Sequence, residues 1–124
     1  MKEFLCNIDV TELEVNEEIT YLIEGWISFD EEVIFELELR GDRTECIPCE
    51  IIYHDRPDVR EVYKGRFIKN DPGFTIRIKN IHEVLSKYKT IDLYLLCAGE
   101  KKCICTREMK SVGKMYSQKT IVYN

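Results

Sequence analysis

No stretch of this sequence approaches the roughly 20 consecutive apolar residues that a membrane-spanning helix needs. The start, Met1-Lys2-Glu3-Phe4-Leu5-Cys6-Asn7, turns polar within a few residues and lacks the apolar centre of a secretory signal. These absences point to a chain without membrane insertion, and to a cytoplasmic one. Histidine is scarce: His54 and His82 stand alone, with no nucleophile at a telling spacing, so the sequence offers no catalytic residues. There is no Asp-x-Asp metal motif and no long amphipathic helix between strands, which excludes a parallel nucleotide-binding unit. Positive charge is thin as well, with 18 Lys and Arg against 23 Asp and Glu, a net charge of −5. Lys101-Lys102 is a solvated turn, so nucleic acid is not the expected partner, and no cofactor is expected.

What the sequence does have is period-two alternation, the signature of strands with one buried face. Phe4, Cys6 and Ile8 alternate with Leu5, Asn7 and Asp9. Tyr21 and Ile23 precede Gly25-Trp26-Ile27, and Val33, Phe35, Leu37 and Leu39 form the clearest set. Ile47, Cys49, Ile51 and Tyr53 follow, with Pro48 marking an edge or bulge. Phe74, Ile76 and Ile78 come after the turn Asn70-Asp71-Pro72-Gly73. Ile91, Leu93, Leu95 and Cys97 lead through a hairpin turn at Ala98-Gly99 into a returning strand over 102–107, and 121–123 could add to a sheet edge.

Helix signals are few. Asp58 reads as an N-cap with Glu61 three residues on, giving a short helix near residues 58–64. Ile81, Val84, Leu85 and Tyr88 have helical spacing, yet the segment is short enough to be an irregular connection. Seven or eight short strands with regular turns predict an all-β, two-sheet antiparallel sandwich. With 124 residues, 44% of them hydrophobic, the chain holds one core. The sandwich would occupy residues 1–107, leaving 108–124 as a linker or docking tail.

Six cysteines are the oddity of composition. Most fall inside apolar alternations, where a thiol packs as a small hydrophobe. Cys46-Ile47-Pro48-Cys49 has the spacing of a redox pair but not the helix such chemistry needs. The alternative is a structural zinc site in which Cys46 and Cys49 join Cys103 and Cys105 as four thiolates, in a free-standing protein-interaction domain.

Several short elements share an order: Cys6-Asn7-Ile8-Asp9, then Ile23-Glu24-Gly25-Trp26-Ile27, then Arg56-Pro57-Asp58-Val59 with Tyr63, then Gly73-Phe74-Thr75-Ile76. Over roughly residues 4–105 this order resembles the β-sandwich module found N-terminal to the catalytic domain in bacterial family-2 glycosyltransferases, mostly of Firmicutes. The resemblance implies an immunoglobulin-like sandwich acting as a non-catalytic accessory domain, which binds carbohydrate or packs on a C-terminal glycosyltransferase domain. It carries the family's Arg-x-Asp-Val element onto Arg56, Asp58 and Val59, and its two glycine-aromatic elements onto Gly25-Trp26 and Gly73-Phe74.

Arg56 and Asp58 together form a donor-acceptor set suited to sugar hydroxyls, and Trp26 could serve as a stacking platform. Each also has a structural reading. Asp58 would cap the short helix, Arg56 would pin a loop by ion pairing, and a lone Trp after a strand glycine is more often core.

Overall fold

The computed structural model describes residues 3–15, 18–29, 31, 33–62, 73–79, 81–108, 116–117 and 121–123. Among these residues, ten strands and two short helices follow in the order β1 (Phe4–Val15), β2 (Glu18–Phe29), β3 (Phe35–Gly41), β4 (Glu45–Cys46), β5 (Cys49–His54), α1 (Pro57–Val62), β6 (Gly73–Ile78), α2 (Ile81–Lys87), β7 (Thr90–Cys97), β8 (Glu100–Glu108), β9 (Tyr116–Ser117) and β10 (Ile121–Tyr123). One sheet has the order β10-β1-β2-β6-β5 with β9 also on β1, and the other has β4-β3-β7-β8. Every pairing is antiparallel. The order β1-β2-β6-β5 against β3-β7-β8 is that of an immunoglobulin constant-type sandwich, with β4 as an added edge strand. The 121–123 stretch pairs with Phe4–Cys6, so part of the segment read as a tail lies in the sheet.

The alternation decides the core. Phe4, Cys6, Ile8 and Val10 of β1 and Ile23, Ile27 and Phe29 of β2 face inward with Phe74, Ile76 and Ile78 of β6. Leu37, Leu39, Ile91, Leu93 and Leu95 meet them from the other sheet. Burying a large aliphatic or aromatic side chain is worth about 1.5–3 kcal/mol, so this layer carries most of the stability. Tyr53, expected inward, stands at the rim and is 42% exposed. Its ring meets Phe35 edge-on, beside the part of the β3 edge that short β4 leaves unpaired.

Two turns are tight enough to require the left-handed region. Asp42 and Arg43 have φ of 48° and 64°, and the Thr44 N–H donates to the Gly41 carbonyl at 3.0 Å. Ala98 and Gly99 have φ of 53° and 78°. Two positive φ values in a two-residue loop make the turn whose twist suits a hairpin. The ambiguous segment at 81–87 is helical: Ile81 and Val84 are buried against the sandwich, and the Tyr88 ring fills the space a side chain at Gly41 would need. The Asn70–Pro72 turn, Tyr63 and the 109–115 part of the tail lie outside the described residues. Among the described residues, no helix is long and apolar enough to cross a membrane.

Candidate functional site

The residues singled out for binding come together on the outer face of the six-stranded sheet, around α1. Pro57 opens that helix as its first residue, where a missing N–H costs nothing. The Arg56 carbonyl accepts the N–H groups of Val59 at 3.0 Å and Arg60 at 3.1 Å, so Arg56 holds the capping position. Asp58 therefore sits inside the first turn and is not the N-cap. Proline displaces the start of the helix by two residues from where the spacing of Asp58 and Glu61 put it.

The Asp58 carboxylate grips Arg56 instead. Arg56 Nε donates to Oδ1 at 2.9 Å and Nη2 to Oδ2 at 2.8 Å, a two-pronged pair. This bond, helped by the N–H groups of Val59 and Asp58, lowers the Asp58 carboxyl from 3.8 to about 2. It also raises the Arg56 guanidinium, with Asp9 and Glu24 adding to the field. Asp55, given no role by the sequence, holds the entry to the helix. Its Oδ1 accepts the Arg56 N–H at 2.9 Å and its Oδ2 pairs with Arg60 at 2.6 Å.

Trp26 is 5% exposed and forms a small second cluster with Leu5 and Val59. Its ring lies under α1, so it offers no open face for a sugar to stack on, and the stacking role is withdrawn. The alternation explains why sequence reasoning placed it imperfectly. Trp26 is buried, but on the side of the sheet opposite the sandwich core.

The two glycine-aromatic elements prove to be one structural unit. On adjacent strands, Gly25 pairs with Phe74 and Trp26 pairs with Gly73. Each glycine thus stands opposite the other strand's aromatic, Phe74 toward the core and Trp26 toward α1. A side chain at Gly25 would meet the Asn7 carbonyl oxygen at 2.1 Å, and one at Gly73 would meet Arg56 Cγ at 2.6 Å and His54 Cε1 at 2.7 Å. The Arg56 stem and the His54 ring lie directly over Gly73.

Around Arg56 the face is polar. Register aligns Asp9, Glu24 and Thr75 in one row and Asn7, Trp26, Gly73 and His54 in the next. His54 Nδ1 is 3.4 Å from the Asp55 carbonyl and Nε2 is 3.2 Å from the Thr75 hydroxyl. A carbonyl only accepts, so in the neutral ring Nδ1 carries the proton and Nε2 accepts from Thr75. Asn7 Oδ1, Asp9 Oδ1 and Ser28 Oγ are buried without a hydrogen-bond partner. Arrangements of this kind order a surface and can hold a polar ligand by hydrogen bonds.

The zinc alternative does not assemble. Cys46 is on β4 and Cys103 and Cys105 are on β8, the two opposite edges of the four-stranded sheet, while Cys49 opens β5 in the other sheet. Three strand spacings, about 14 Å, separate the edges, far beyond the roughly 2.3 Å zinc–sulfur bonds of one tetrahedral site. All six cysteines are free thiols. The Cys46-x-x-Cys49 segment spans the crossing from one sheet to the other and is not a single strand. The Glu38 carboxylate, accepting from Cys46 at 3.1 Å, raises that thiol, and burial raises Cys49. Redox nucleophiles need the opposite shift.

A second buried polar centre escaped the sequence reading. Asp92, fully buried on β7, accepts the Arg43 N–H at 2.9 Å and the Thr90 hydroxyl at 3.2 Å on Oδ2, and the Thr106 hydroxyl at 2.9 Å on Oδ1. It anchors the β3–β4 turn over β7 and is structural. No protein-family model, curated protein or solved structure matches this chain.

Proposed function

We propose that this chain is a non-catalytic accessory sandwich of a cytoplasmic bacterial glycosyltransferase, and that it works by packing on a C-terminal catalytic domain. The carrying observation is that the residues of the resemblance build one architectural lock. Gly25-Trp26 and Gly73-Phe74 interdigitate across β2 and β6, Arg56 lies over Gly73, and Asp58 holds the Arg56 guanidinium in a two-pronged pair. Side chains spent on each other in this way serve the fold and leave little for a substrate. The test is the intact reading frame and its product. A transferase domain with an Asp-x-Asp motif should follow residue 124, and deleting the sandwich should cut the stability or activity of the whole enzyme. A frame without such a domain, or turnover of a nucleotide sugar by the sandwich alone, would overturn the reading.

Glycan binding is the second reading, favoured by the unpartnered oxygen of Asp9, a carboxylate close enough to raise the Arg56 guanidinium. A glycan array separates the two. Binding that Asp9→Ala abolishes without loss of fold would establish the second reading.

A further inference from the structure

We infer that the outer face of the four-stranded sheet is a self-association surface, on which a second copy of this chain docks about a two-fold axis running along β7. The inference does not rest on the function proposed above. Alternation puts Leu37, Leu39, Leu93 and Leu95 into the core, which sends Glu36, Glu38, Tyr94 and Leu96 to the outer face. Lys101 joins them, opposite Leu96 in register and with its ammonium 5.3 Å from the Tyr94 ring. No helix of the described residues packs there, and the centre of the face is the half-buried pair Tyr94 and Leu96.

The charge pattern selects the occupant. Glu36, Leu96 and Lys101 form one transverse row, with acid on β3, apolar residue on β7 and base on β8. A two-fold axis along β7 lays each copy's β3 over the partner's β8 without moving residues along the strands. Glu36 then faces the partner's Lys101, Lys101 faces the partner's Glu36, and Leu96 and Tyr94 each meet their own equivalents. The row is complementary to itself, as an isologous interface requires. The β8 edge is the competing route to a dimer, and the register shift opposite Leu93 and Tyr94 interrupts that edge as a template for strand pairing.

The face is small. Three strands about 4.8 Å apart and some 25 Å long, with the two-residue β4 adding little, give about 400 Å² per copy, below the roughly 800 Å² per partner of a standard stable interface. The dimer should therefore be weak and concentration-dependent, and sensitive to salt through its exposed ion pairs.

Sedimentation velocity on the purified chain from micromolar to millimolar concentration tests this, with circular dichroism confirming that each variant is folded. Wild type should show a reversible monomer–dimer equilibrium. Glu36→Lys alone and Lys101→Glu alone each oppose like charges and should weaken association at least tenfold. An equimolar mixture of the two variants restores both pairs, and should associate as a heterodimer at least as well as wild type. A wild type that stays monomeric to millimolar concentration would overturn the inference. So would single variants that dimerise like wild type, or a mixture that gains nothing.

Discussion

The two sheets are built on the same alternation, yet their outer faces have opposite fates. On the six-stranded sheet, Trp26 points away from the core and is buried, because the connection between β5 and β6 folds into α1 and lays Val59 on it. On the four-stranded sheet, Leu96 also points away from the core, but no described helix covers it. Alternation tells which residues share a face. Whether that face stays wet depends on what the connections do.

Substituting the two outward apolar residues is the strongest way to break this contrast. Trp26→Ala removes a large buried ring and should cost about 3–5 kcal/mol, whereas Leu96→Ala on the half-buried outer face should cost only about 1 kcal/mol. Urea denaturation of both variants, run dilute enough that association does not contribute, measures the difference. Similar losses would mean that the two faces are equally covered.

Asp92 sharpens the contrast, because it is the one outward residue of β7 that the fold hides. The β3–β4 turn closes over it, and removing its carboxylate strands the Arg43 N–H and two hydroxyl groups. Asp92→Ala should cost about 2–3 kcal/mol, while Asp92→Asn should lose less because its amide oxygen still accepts. Thermal melts of the two variants test this, and a silent Ala variant would remove the anchor from the account.

The smallest effect belongs to Asp58. Its folded-state carboxyl is lowered from 3.8 to about 2, so the stability it contributes is present above pH 3.8 and is lost as pH falls toward 2. Asp58 is largely exposed and the effect is correspondingly modest. Melting temperature followed from pH 5 to pH 2 should fall less for Asp58→Asn than for wild type. Parallel curves would show that the Arg56–Asp58 pair adds nothing measurable to the fold.

Much of the architecture was legible because burial in a sandwich writes itself into a period of two. The inward sets of β1, β3, β6 and β7 were all readable, as was the hairpin at Ala98-Gly99. The start of α1 was misread, because an acidic residue two positions after Arg56 looks like a cap until proline's preference for the first helical position is weighed. The zinc alternative was open in the sequence for a different reason: spacing along the chain says nothing of sheet order, and sheet order sends β4 and β8 to opposite edges. Asp92 left no signal, since a carboxylate in an outward strand position is ordinarily solvated.

The sequence by itself determined the fold class, most of the core and the hairpin at Ala98-Gly99, because each follows from local periodicity and from backbone preferences of single residues. Only the tertiary structure decided that the glycine-aromatic elements interlock, that Trp26 is roofed by α1, that Arg56 and Asp58 close on each other, and that Glu36 and Lys101 flank one apolar strip. Those relations join residues far apart in the chain through strand register and sheet order, and register is settled by the packing of the whole sheet.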